Sequence, residues 1–109
     1  MTNEHIVVFC TVPDPGKGAE IARHLVDEKL CACVNIVPGL RSIYWWKGAV
    51  CDDPEALMVI KSRAERFEAL RQRIVSLHPY ETAEVVALPI VAGHAPYLAW
   101  IDAAVTRED

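Results

Sequence analysis

The chain has 109 residues, seven of them proline and five glycine, which makes one domain able to bury roughly two-thirds of the surface its unfolded form exposes. Fifteen acidic against eleven basic residues leave a formal charge of −4, and no Lys or Arg run stands out, which argues against nucleic acid or an anionic membrane as the main partner. No segment approaches the roughly 20 apolar residues of a membrane span, and MTNEHIVVFCTVPDPG has no basic n-region or small-residue cleavage site, so a soluble cytoplasmic protein is expected.

In chain order, HIVVFCTV (5–12) reads as a strand rich in Val and Ile, ended by the turn-forming PDPG. There Asp14 suits a helix cap and Pro15 the first helical position. From that point to Leu30, the apolar residues Ile21, Ala22, Leu25, Val26 and Leu30 recur at helical spacing, with Glu20, Arg23, Asp27 and Glu28 on other faces. CACVNIV (31–37) is strand-like again. In VPGLRSIYWWKGAVCDDPE (37–55), Pro38 and Gly39 suit a bend or bulge in a long strand, and Lys47 and Gly48 a tight turn. ALMVI (56–60) continues as strand, and Ser62 to Glu65 form a capping-box pattern before a helix with Phe67, Leu70, Ile74 and Leu77 on one face. That helix stops at His78, since the residue before a proline avoids the α region. EVVALPIV (84–91) reads as the last strand, a short helix follows from Pro96 with Tyr97, Leu98, Trp100, Ile101 and Val105 apolar, and the terminal TRED is expected to fray.

Strand, helix, strand, twice over, with the middle strands joined as a hairpin, is the α+β, ferredoxin-like split βαβ arrangement (βαββαβ), in which both helices cover one face of a four-stranded antiparallel sheet. The uncovered face should then be polar, giving strict alternation. These strands do not alternate: Ile6, Val8, Cys10 and Val12 share a strand with Val7 and Phe9, and Ala56, Met58 and Ile60 share one with Leu57 and Val59. Both faces call for burial, and a second copy of the chain is the expected cover. The extended hairpin adds Ile43, Tyr44, Trp45 and Trp46, which a two-stranded ribbon cannot bury alone; they pack either on a neighbouring subunit or back on their own domain.

Four cysteines without a secretory signal or a CxxC pair read as reduced thiols. Thiolate and imidazole are nevertheless the ligands that Cu(I) prefers and Zn(II) accepts, so Cys10, Cys31, Cys33, Cys51, Met58, His5, His24, His78 and His94 form the metal inventory. Cys31 and Cys33, two apart on a strand, project to one face, which permits a shared metal and equally suits two core thiols. His24 reads as a solvated helix residue, and His5 and His94 have no partner identifiable in the sequence. The Lys17 of PGKG lacks the pattern of a phosphate loop. In LHPYETAE (77–84), His78, Tyr80, Glu81 and Glu84 offer a general acid and base at the rim of the sheet, but no nucleophile accompanies them, so no enzyme is expected.

CTVPD (10–14), EKLCACVNIVPGLRSIYWWKG (28–48), LHPYETAEVVALPIVAG (77–93) and YLAWI (97–101) together resemble the CutA divalent-cation-tolerance family over nearly the whole chain. The resemblance implies a single CutA-like domain over 1–109, assembled as a homotrimer whose sheets turn inward in the manner of PII signalling proteins. It implies divalent-cation tolerance through copper or another divalent metal ion, and Cys10 is similar to a cysteine that some members carry in their first strand; with Cys33 and His78 from the inventory it makes the expected metal residues. Trp46, Lys61, His78, Tyr80, Glu81 and Glu84 are then expected around an intersubunit cleft, and Tyr44, Trp45, Trp46 and Trp100 at the trimer interface. A PII-like sensor or scaffold that holds a small molecule or protein in that cleft is the alternative function.

Overall fold

The computed structural model describes residues 4–106; of the TRED expected to fray, 107–109 lie outside the described residues. Its elements are β1 (His5–Val12), α1 (Pro15–Asp27), β2 (Cys33–Trp46), β3 (Ala49–Arg63), a 3-10 turn (Ala64–Arg66), α2 (Phe67–Leu77), β4 (Val86–Pro89) and α3 (Ala95–Val105). The four strands form one antiparallel sheet in the order β2-β3-β1-β4, so the ferredoxin-like expectation holds.

One face of the sheet carries the core. Ile6, Val8, Cys10 and Val12 of β1 and Ala56, Met58 and Ile60 of β3 are buried against Ile21, Ala22 and Leu25 of α1 and Leu70 and Ile74 of α2. The opposite parity forms a second apolar surface that α1 and α2 do not cover, met at one end by α3, whose Asp102 reaches His5 and Arg63. Across the ladder, Leu88, Val7, Lys61 and Cys33 share one row, Val86, Phe9, Val59 and Asn35 the next, and Thr11, Leu57 and Val37 the third. Val37, Val86 and Leu88 are exposed and the other apolar members only half-buried, as the failure of strict alternation foretold.

Beyond Leu40, β2 pairs only with β3, and this ribbon draws the molecule out to 44 Å along its longest axis. A register shift between Val37 and Leu40 is the bulge signalled by Pro38 and Gly39, with Gly39 at φ +80°. Trp46 pairs with Ala49 across a two-residue turn in which Lys47 and Gly48 both have positive φ, the requirement of a type I′ hairpin. Trp45 stays 70% and Ile43 66% exposed in one chain, while Tyr44 and Trp46, at 42% and 38%, share a groove with Tyr80 of their own domain.

Three boundaries correct the sequence reading. α1 ends at Asp27 rather than Leu30, because Lys29 adopts φ +59° and the amides of Lys29 and Leu30 donate to the carbonyls of Val26 and Leu25. This is a Schellman cap with Lys in the left-handed position glycine usually takes, and Leu30 is the buried apolar residue that closes it. Ser62 to Glu65 is no capping box: Ser62 is the buried penultimate residue of β3, its hydroxyl donates to the Leu30 carbonyl at 2.7 Å, and no side chain caps the turn that follows. β4 is also shorter than 84–91: Val86–Pro89 pair with β1, and one further bond runs from the Ile90 amide to the His5 carbonyl at 2.9 Å.

α3 begins at Ala95 and buries Ile101 and Val105 beside Ala32. Its Asp102 accepts from Arg63 at the end of β3 and sits 2.8 Å from His5 Nε2, which gives His5 the partner its sequence did not reveal.

Candidate functional site

The site lies where α2 hands the chain to β4, beside the base of the hairpin ribbon. His78 caps α2 in an extended conformation, its amide donating to the Ile74 carbonyl at 2.9 Å. Its ring turns inward and is buried. Nε2 stands 2.7 Å from the Thr11 carbonyl, an acceptor only, while Nδ1 receives the Tyr80 amide at 3.2 Å. These partners assign the Nε2–H tautomer and leave neither nitrogen open to a metal ion.

Tyr80 leans on that ring, centroids 4.6 Å apart, and donates its hydroxyl to Glu55 Oε2 at 2.6 Å. Burial first, and then the Glu55 carboxylate, hold the phenol above its ordinary range. Tyr44 repeats the arrangement on the ribbon, donating to Asp53 Oδ2 at 2.6 Å, a bond that pushes its pKa up to about 12. Glu81 meets Lys47 Nζ at 3.5 Å, and the same ammonium lies 5.5 Å from the centroid of the Trp46 ring.

Together these groups bound a groove of about 890 Å³. Its walls are Tyr44, Trp46 and Tyr80; among the described residues its lining charges are Asp53, Glu55, Glu81 and Glu84, with the Lys47 ammonium at the rim beside Glu81. The groove therefore repels anions and draws cations.

Of the residues the sequence nominated for a cleft, Trp46, Tyr80, Glu81 and Glu84 come together here, with His78 directly behind Tyr80. Lys61 does not. Its ladder position faces Val7 and Cys33, four residues along β3 from the Leu57 that faces Thr11, about 13 Å away at the usual strand rise. Lys61 instead binds Asn35, with its ammonium 4.0 Å from Cys33 Sγ.

The three nominated metal residues are not gathered within one chain. Cys10 is buried on the helix-covered face, where desolvation first, then the charges of Glu84 and Glu55, push its thiol up to about 12. Cys33 is on the uncovered face beside Lys61, and His78 has both nitrogens engaged. Among the described residues no three His, Cys, Asp or Glu side chains converge on a point that would hold a metal ion. Cys31 is a core thiol, likewise raised to about 12 chiefly by burial. Of the nominated interface residues, Tyr44, Trp45 and Trp46 stand exposed on the ribbon, and Trp100 is 47% exposed on α3 against Tyr97.

Asp53 and Glu55 escaped the sequence reading. Their signal was present in CDDPE, where two acids two apart on a strand share one face.

Comparison with known proteins adds the following. Residues 6–104 match the family described as CutA1 divalent ion tolerance protein. A divalent-cation tolerance protein CutA of Thermus thermophilus is 50% identical over 95 residues, 87% of this chain and 92% of that protein. A chloroplastic protein CutA 1 of rice is 47% identical over 96 residues, 88% of this chain and 54% of that protein, so the chain spans about half the length of that relative. The crystal structure of CutA1 from Oryza sativa superposes with a TM-score of 0.92 at 45% identity, over 99% of this chain and 98% of that one.

Proposed function

Because this chain belongs to the CutA1 divalent ion tolerance family, we propose that it serves divalent-cation tolerance as a cytoplasmic homotrimer that binds a divalent metal ion, copper among the candidates, and catalyses no reaction. The observation that carries the assembly is the uncovered sheet face. Val7, Phe9, Val37, Leu57, Val59, Val86 and Leu88 make a continuous apolar surface, and the ribbon extends it with Ile43, Trp45 and Val50 exposed. A monomer rarely leaves so large a patch in water.

The donors of one chain do not fit a closed metal site. The Cys10 thiol is buried and protonated on one side of the sheet, and Cys33 stands on the other. A coordination sphere in this protein accordingly draws on more than one copy, and oxygen donors of the acidic groove suit harder divalent ions than Cu(I). Titration of the assembled protein with Cu(II), Cu(I) and Zn(II) tests this. Saturable binding that disappears in a monomeric variant is expected; millimolar affinity for all three ions contradicts it.

The groove supports a second reading, in which the family fold acts as a small-molecule sensor or scaffold in the manner of PII proteins. An aromatic-walled cavity of about 890 Å³ with several polar groups has the size of a small-molecule site.

A further inference from the structure

We propose that the groove beside His78 binds an extended organic polycation, of the linear polyamine class, rather than an anion or a single metal ion. The inference deepens the small-molecule reading of the same groove and rests on it.

Three observations carry it. The first is sign: four carboxylates line the groove among the described residues against one ammonium, Lys47, at its rim, so phosphates and nucleotides are disfavoured. The second is spread. Asp53 and Glu55 are two apart on β3, about 6.6 Å along the strand, while Glu84 comes from beyond α2, and among the described residues no three acids converge as a single cation requires. Charges so distributed match several ammonium groups separated by short methylene chains.

The third is a stand-in supplied by the chain itself. Lys47 is a primary alkylammonium, and it lies 5.5 Å over the Trp46 ring with its nitrogen 3.5 Å from Glu81. Aromatic face below and carboxylate beside is how proteins recognise organic ammonium ligands. Farther along the groove aromatic and carboxylate groups again adjoin, joined here through the phenol: Tyr44 donates its hydroxyl to Asp53, and Tyr80 to Glu55. Each tyrosine hydroxyl engages one carboxylate oxygen and so orients the other, while the alkyl stems of a polyamine would cover ring faces that are 42% exposed at Tyr44 and 37% at Tyr80.

The test is calorimetric titration of the assembled protein with spermidine at about 0.15 M salt, where diffuse surface attraction is screened. ATP and Mg²⁺ at matched ionic strength are titrated separately. Saturable binding of spermidine is expected, weakened at least about tenfold by Glu84→Gln and by Glu55→Gln, with light scattering showing unchanged mass for both variants. Mg²⁺ competing as strongly as spermidine would overturn the proposal in favour of a point-ion site. Binding that survives both substitutions would overturn the placement. If spermidine gives no saturable heat while ATP does, the small-molecule reading stands and the polycation inference fails; if neither binds, both fail.

Discussion

The imidazole of His78 stands 2.7 Å from the carbonyl oxygen of Thr11, sixty-seven residues earlier in the chain. That bond joins the end of α2 to the end of β1, and the other ring nitrogen fixes the backbone of Tyr80. The residue most readily taken for a metal ligand or a general base is thus the pin that holds one wall of the groove.

His78→Ala should therefore act on stability before ligand binding. It empties a buried position and removes two hydrogen bonds, a loss of about 2–3 kcal/mol. The urea midpoint at fixed protomer concentration measures it. Metal affinity that collapses while the midpoint stays put would instead make His78 a ligand.

Lys29 occupies the left-handed position of the α1 cap at φ +59°. Lys29→Gly relieves the Cβ strain at some cost in unfolded-chain entropy, and a net gain of about 0.5–1 kcal/mol is expected. Thermal or urea unfolding should show the rise, and a fall would contradict the cap assignment.

Asp102 links pH to the docking of α3. The Arg63 guanidinium first, and His5 second, hold its carboxyl below the ordinary carboxylate range, against the opposing effect of desolvation. With the folded-state value lower than the unfolded one, the unfolded chain takes up the proton first as pH falls. The stabilisation is full above the unfolded value, roughly pH 4, and is lost as pH drops through the folded one. Asp102 is 44% exposed, so solvent screening limits the contribution to about 1 kcal/mol or less. Asp102→Asn should lower the unfolding midpoint at pH 6, with the gap to the parent protein closing as pH falls below the ordinary carboxylate range through the lowered folded-state value.

Val59 sits at the middle of the uncovered sheet face, between Phe9 and Asn35. Val59→Asp should dissociate the assembly, because a carboxylate buried without a partner costs several kcal/mol. Light scattering reads the mass, and far-UV circular dichroism checks that the sheet persists. An unchanged oligomer would place the interface elsewhere.

Most of the fold was legible because its signals are local. The Lys47-Gly48 turn, the Pro38-Gly39 bulge and the Asp14 cap, which accepts the Lys17 amide at 2.8 Å, each rest on the chemistry of a few adjacent residues. The boundaries that failed had other causes, one a local cap without the usual glycine and one a distant contact. Leu30 keeps the helical spacing of α1 yet closes its cap, and Ser62 matches a capping motif while its hydroxyl goes to the Leu30 carbonyl thirty-two residues away. The site followed the same division. Tyr80, Glu81, Glu84 and Trp46 were nominated and meet, but the ladder register sends Lys61 to the other end of β3 and brings in Asp53 and Glu55. Two-sided apolar strands likewise announced an apolar second face, which α1 and α2 leave uncovered in one chain.

The central claim is the assembly, and gel filtration coupled to light scattering tests it most directly. The account predicts a mass about three times the 12.1 kDa of one chain, independent of dilution through the micromolar range. A stable 12.1 kDa monomer would contradict it.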